Sequence, residues 1–250
     1  MRRWSNGYDC GLPSRISGFE FNLRKSRPTH SLSKMSKEQN ILVFCAHSDD
    51  QILGPGGTLA KYSKEGKRIY TIILSYGENS LAWLKPEIAI QTRVKEAKNA
   101  DKIIGGKGIF FLGLKEGKFI EELKEKKLEE KIKDIIKDKK PAKIFTHSSD
   151  DPHPDHRAAH KIIINILDKM RYKCDVFSFD IWNPLTARKK NLPRLYVDIT
   201  DTFSVKTEAI KAFQSQKIAI FTLLWSVYLR AIVHGLHINK RFGERFFKIK

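Results

Sequence analysis

From Asn40 onward, short runs of β-branched and aromatic residues take turns with longer stretches of helical spacing. No other feature limits the available folds as strongly. "ILVFCAH" (41–47), "RIYTIILS" (68–75), "GIFFLGL" (108–114) and "AKIFTHS" (142–148) read as buried strands bounded by polar or glycine signals. Between them, "GGTLAKYSKEG" (56–66) and "PEIAIQTRVKEAKNADKIIGG" (86–106) have helical spacing and glycine stops. Residues 120–140 read as one charged helix whose Leu and Ile recur at three and four, its alternating charge a solvated face. "HRAAHKIIINILDKM" (156–170) is a further helix, and "CDVFSFDIW" (174–182) and "RLYVDIT" (194–200) are further strands. Such alternation specifies βαβ units, hence an α/β fold with a doubly wound, mostly parallel sheet and helices on both faces. A chain of 250 residues holds one such domain with a substantial core.

In sheets of this kind ligands bind beyond the carboxyl ends of the strands. Two polar clusters fall there. "AHSDDQ" (46–51) follows the first strand, and "THSSDDPHPDH" (146–156) follows the fourth. His47 and Asp50 are three apart, so one turn can aim both at a single point, and a histidine with a carboxylate suits a zinc-like ion. Asp49 between them points elsewhere and is left free as a base. Taken alone this cluster is most simply a helix cap. In the second cluster His153 and His156 are again three apart, with Asp155 beside them and Pro154 stiffening the turn. One more ligand from this loop completes a three-ligand site with an open position. The remaining histidine would face substrate, its tautomer fixed by a neighbouring carboxylate. A cap accounts for one aspartate here but not for two histidines.

The paired motifs carry a resemblance. "AHSDDQ" resembles the A-H-P-D-D-E signature of the PIG-L/LmbE-like deacetylases, and "HPDH" matches their second motif. "TRVKEAKNADKIIG", "FLGLKEG" and "FQSQ" are similar to later family motifs, so the likeness spans about residues 40–250. The resemblance implies a Rossmann-like fold and removal of acetyl groups from N-acetylglucosamine units, usually with zinc. By position, it implies that His47, Asp50 and His156 hold the metal and that Asp49 is the general base. It implies that His153 stabilises the oxyanion or protonates the leaving amine, oriented by Asp155, and that Arg93 and Glu116 contact sugar hydroxyls. Two histidines and an aspartate suit Zn2+ and Fe2+ alike. Three positions depart from the family pattern: Gln51 stands for glutamate, Ser48 for proline and Glu116 for aspartate.

The formal net charge of +19 favours anionic partners: polyanions, membrane surfaces or phosphorylated substrates. The lysines are spread over many helices and no nucleic-acid motif is present, so no specific nucleic acid is expected. A non-catalytic binder of anionic glycan or nucleic acid is the competing class, and a phosphoester or another amide is a lesser substrate alternative. The three cysteines, Cys10, Cys45 and Cys174, form no C-x-x-C pair, which suits a reducing cytosol, with Cys45 and Cys174 expected in the core. Residues 1–39 lack hydrophobic periodicity and carry eight basic against three acidic residues. This segment reads as an extension or disordered tail, with Met35 a candidate start, in preference to a transit peptide, and it has no apolar signal region. "IAIFTLLWSVYLRAIVHGL" (218–236) is near bilayer length but interrupted by Arg230 and His234, and reads as a buried or interfacial helix. With Lys240, Arg241, Arg245, Lys248 and Lys250 close by, it allows contact with an anionic membrane surface and a lipid-linked amino-sugar substrate as well as a small one. The expected location is cytoplasmic, with peripheral membrane contact as a variant.

Overall fold

A computed structural model describes residues 39–81, 83–182 and 191–250. The extension expected over residues 1–39 falls, apart from Gln39, outside the described residues, as does Cys10. Among the described residues the strands are β1 (Asn40–Cys45), β2 (Arg68–Ile73), β3 (Ile109–Phe111), β4 (Lys143–His147), β5 (Asp175–Phe179), β6 (Arg194–Asp198) and β7 (Gly243–Lys248). They form one sheet in the order β3-β2-β1-β4-β5-β7-β6. The first five pair in parallel, whereas β7 runs antiparallel between β5 and β6. The sheet is therefore mostly parallel, as expected. The chain winds outward from β1 to β3, then returns to place β4 on the other side of β1. The carboxyl ends of β1 and β4 thus border the switch point where such sheets hold ligands.

The helices are α1 (Asp50–Leu53), α2 (Gly56–Lys64), α3 (Pro86–Ile103), α4 (Phe119–Glu125), α5 (Leu128–Lys139), α6 (Pro154–Met170), α7 (Phe203–Lys211) and α8 (Lys217–Leu236). Strand side chains alternate between two cores, as a period of two requires. Ile41, Val43 and Cys45 pack with Leu59, Ala97, Ile210 and Leu223, from α2, α3, α7 and α8. Leu42, Phe44 and Ala46 pack on the opposite face with Leu123, Ile136 and Ile163, from α4, α5 and α6. Cys45 is buried as expected, while Cys174 is only half-buried.

Two departures concern elements. The charged helix expected over residues 120–140 is broken into α4 and α5, with Lys127 left-handed at φ 49°. The inward faces are Phe119 and Leu123, then Ile132, Ile135 and Ile136. A continuous helix would carry Lys126, Lys127 and Glu130 onto that buried stripe, and the break avoids this. The sequence reading also passed over α7 and β7. The strand β7 ("GERFFK") has no apolar run, yet it delivers Glu244 into the interior. There the Glu244 carboxylate accepts from Gly57 N (3.0 Å) and Thr58 N (2.8 Å), two amides of the first turn of α2, and pairs with the buried Lys206. Lys206 also donates to Gly54 O (2.8 Å), tying α7 to the corner between α1 and α2. A carboxylate at a helix N-terminus satisfies amides that have no intrahelical partner. A Cβ at Gly57 would lie 2.7 Å from Ile199 Cδ1 and 3.0 Å from Ile199 Cβ, so any larger residue there would have to displace Ile199.

Candidate active site

Five loops at the carboxyl ends of β1 to β5 converge on one pocket of about 180 Å³. The first supplies His47, Asp49 and Asp50, where the chain turns directly from β1 into α1. The backbone N of His47 donates to Asp50 Oδ2 at 2.7 Å, so the tight turn fixes the carboxylate that the spacing singled out. The fourth loop supplies His153 and His156, and Pro154 opens α6 at a position where its missing N–H costs nothing. His47, Asp50 and His156 each offer an atom within 4.8 Å of the others, and so do His47, His153 and Asp155. The first set is the better supported: Asp50 and His156 are buried, and each has further partners that fix it.

Those further partners are His147 and Asp151, which sequence reasoning left without a role. His147, the last residue of β4, is fully buried and stacks on His156 with ring centroids 3.9 Å apart. Its Nε2 accepts from Ala46 N (2.9 Å) and lies 3.1 Å from Asp50 Oδ2. Asp151, 1% exposed, places Oδ1 3.0 Å from His156 Nδ1. It also accepts from His153 N (3.0 Å) and Ile181 N (3.4 Å). The signal for both lay in the His/Asp density of "THSSDD", but not which group meets which.

The expected pairing of Asp155 with His153 is not the one formed. His153 is the N-cap of α6, and its Nδ1 accepts from the backbone N of Asp155 (3.2 Å). The Asp155 carboxylate turns instead to Gly117 N (2.9 Å) and His47 Nε2 (3.4 Å). It thereby anchors the loop after β3 and sets Glu116 3.5 Å from His47 Nε2. Arg93 and Glu116 both line the pocket, as their expected sugar contacts require. Arg93 has a nearer engagement too: it is 2% exposed, its Nη2 lies 3.7 Å from Asp49 Oδ2, and its Nε donates to Tyr76 O. Gln51 donates from Nε2 to Ser48 O (2.9 Å), a bond the family's glutamate, when ionised, could not donate.

The electrostatics are those of a crowded imidazole–carboxylate cluster. Burial opposes charge on His47, yet hydrogen bonds to Asp155 and Asp50 prevail and raise its pKa from 6.5 to about 10. His156 is raised to about 9, with burial again outweighed by Asp50 and Asp151. His147 is lowered to about 4 by burial and by the adjacent His156. His153 is lowered by burial, His156 and His47. Burial works to raise Asp50, but the facing His156 and His147 hold it well below the usual carboxylate range. Burial raises Glu116.

Residues 42–167, which contain every one of these loops except that after β5, match the PIG-L family, described as GlcNAc-PI de-N-acetylase. The chain belongs to the PIG-L family. The diacetylchitobiose deacetylase of Thermococcus kodakarensis is 26% identical to this PIG-L chain, over 96% of this chain and 90% of that protein. Among solved structures, N,N'-diacetylchitobiose deacetylase from Pyrococcus horikoshii superposes with a TM-score of 0.68 at 22% identity, over 83% of this chain and 82% of that one. GalB, the 4-carboxy-2-hydroxymuconate hydratase of Pseudomonas putida, superposes with a TM-score of 0.72 at 20% identity, over 85% and 96%. A PIG-L fold is thus found in proteins named for different reactions, and the reaction has to be argued from the site.

Proposed function

We propose that this PIG-L chain is a metal-dependent N-deacetylase that removes the acetyl group from an N-acetylglucosamine-type conjugate. One observation carries the reading: half-buried His47 clusters with buried Asp50 and His156, and a second carboxylate, Asp49, lines the same pocket but belongs to neither candidate ligand set. The donor set fits a divalent ion, because two imidazoles and a carboxylate are the ligands zinc and ferrous iron accept. The surroundings fit as well. His147 Nε2 already accepts a hydrogen bond from the Ala46 N–H, so its 3.1 Å approach to Asp50 Oδ2 sets two acceptors side by side, a contact that favours a cation on Asp50. A divalent ion there would supply Lewis acidity toward an amide carbonyl and toward water.

The chain's own residues divide the rest of the work. Asp49, held by Arg93, accepts the proton of the attacking water as its oxygen bonds to the acetyl carbon. His153 Nδ1 is occupied by a backbone N–H, so its neutral ring carries the proton on Nε2 and offers it to the developing oxyanion. The C–N bond then breaks as the proton held on Asp49 passes to the departing nitrogen, and acetate and the free amine leave. Arg93 and Glu116 meet sugar hydroxyls in the pocket. The pocket is smaller than the roughly 300–1,000 Å³ of sites that enclose drug-sized ligands. It suits one sugar ring with its acetamido group and leaves the remainder of the conjugate outside. A free-amine assay over a panel of N-acetylglucosamine conjugates, N,N'-diacetylchitobiose among them, tests the reading. Amine release from at least one conjugate is expected, and none from any of them by the metal-loaded protein would refute it.

A further inference from the structure

The helix α8 presents to solvent a row of large apolar side chains that the proposed chemistry does not use. Ile218, Phe221, Trp225, Leu229, Ile232 and Leu236 are spaced three or four apart and are 85%, 78%, 60%, 36%, 44% and 69% exposed. Side chains at that spacing share one face of a helix, here for about 27 Å of its length. The opposite face is bound into the fold. Ile220, Leu223, Val227 and Ala231 pack in the core, and buried Arg230 donates to Asp180 O and to Leu53 O. The helix therefore cannot leave the domain to cross a bilayer. Neither is it an ordinary core helix, since only 39% of its apolar window is buried. Contiguous apolar surface of this kind on a soluble domain marks a place where something docks.

We propose that this face lies on an anionic membrane surface, with the apolar row sunk into the headgroup and acyl boundary. Charge complementarity selects this occupant. Residues 217–236 contain no aspartate or glutamate, and exposed Lys217 stands at one end of the row with exposed Lys240 and Arg241 beyond the other. An apolar helical face with basic flanks matches a layer of anionic headgroups over hydrocarbon. A second copy of the chain is the poorer match. Whether two α8 rows met parallel or antiparallel, basic ends would face basic ends, on chains that each carry a net charge of +19. Trp225 and Tyr228 add the amphipathic rings that settle at headgroup level. The same helix walls the pocket through Ala219, Ile220 and Leu223, so docking brings the pocket mouth to the lipid surface. On the deacetylase reading, which this last point alone rests on, the substrate would be an amino sugar presented from the leaflet.

Co-sedimentation of the full chain with vesicles tests the proposal without any assay of turnover. With phosphatidylcholine–phosphatidylglycerol vesicles at low salt the protein should pellet with the lipid. With phosphatidylcholine alone, or at high salt, it should largely stay in solution. Phe221→Asp and Trp225→Asp should each lower the partition coefficient at least about tenfold, the loss expected when one large apolar side chain is denied burial. Both positions are exposed, so melting curves should match the parent and exclude misfolding as the cause. Lys217→Glu combined with Lys240→Glu should weaken binding to the anionic vesicles only. Equal partition to neutral and anionic vesicles, no binding at low salt, or binding untouched by Trp225→Asp would each overturn the proposal. So would light scattering showing a stable oligomer that Trp225→Asp reduces to monomers, because the face would then be an interface between copies.

Discussion

Asp151→Asn should weaken metal binding while leaving the fold in place. Asp151 touches no pocket space of its own, and its carboxylate is committed to three groups: His156 Nδ1 at 3.0 Å, His153 N at 3.0 Å and Ile181 N at 3.4 Å. A carboxylate on Nδ1 fixes the proton there and leaves the other ring nitrogen of His156 available to a cation. Asparagine keeps the shape but replaces one acceptor oxygen with a donor. If the oxygen stays toward His153 N and His156, the new NH2 faces the Ile181 N–H. If the amide flips, the NH2 meets the His153 N–H and loses the carboxylate's hold on the imidazole. Neither rotamer satisfies all three partners. Losing such an outer partner costs about 10–100-fold in metal affinity, or about 1.4–2.7 kcal/mol, and an orphaned buried amide costs about 1–3 kcal/mol of stability. The assay is a competition titration of zinc against a chromophoric chelator, with thermal melts of both proteins. Asp138→Asn, the same charge change at an exposed position on α5, serves as the control and should leave zinc affinity unchanged. Equal zinc affinity in Asp151→Asn and the parent, with both folded, would show that His156 is not held by Asp151 or is not a ligand.

Three more outcomes follow from the site and its support. Asp49→Asn should keep its metal and lose about 10²–10⁴-fold in kcat, whereas Asp50→Asn should lose the metal; elemental analysis beside turnover distinguishes them, and the opposite pattern would reverse the roles. In the metal-free protein His47 and His156 stay protonated to about pH 10 and 9, so their contribution to stability is full below 6.5 and lost as pH rises through those values. A cation must displace those protons, so zinc affinity should climb with pH, and calorimetry in buffers of different ionisation heat should record proton release; a pH-independent affinity would contradict it. Lys206→Met should cost about 3–5 kcal/mol in denaturant unfolding, because it strands the buried Glu244 carboxylate; a loss below about 1 kcal/mol would mean that the pair contributes little to the α1–α2 corner.

Much of this fold is legible in the amino-acid sequence. The strands β1, β2, β4 and β5 are covered on both faces, so their interiors are mostly β-branched and aromatic, with charge confined to their ends, and the loops after β1 and β4 stand out because His and Asp are packed where a buried strand must end. The strand β7 was illegible for the opposite reason: its Glu244, Arg245 and Lys248 read as surface, although Glu244 is buried against backbone amides brought from far along the chain. The break between α4 and α5 was hidden because Leu and Ile recur at helical spacing on both sides of it, and only packing shows the change of face. Residue types picked out two loops that the fold brings to one pocket, but they could not pair the side chains there. Which carboxylate meets which imidazole depends on the N-cap of α6, where the Asp155 amide occupies His153 and frees the Asp155 carboxylate for His47. Arg93 is similar: lying on α3, more than forty positions after Asp49, it becomes the partner of Asp49 only once the sheet brings α3 over β1.

The claim that His47, Asp50 and His156 hold the ion on which acetyl removal depends is tested most directly by stepwise zinc titration of metal-free protein, with acetate release and bound metal recorded in the same samples. The rate should be negligible at the start, rise in proportion to metal bound, and stop rising at about one ion per chain, with Asp50→Asn flat throughout. Full acetate release by the metal-free protein, or a rate that does not follow the bound ion, would contradict the account.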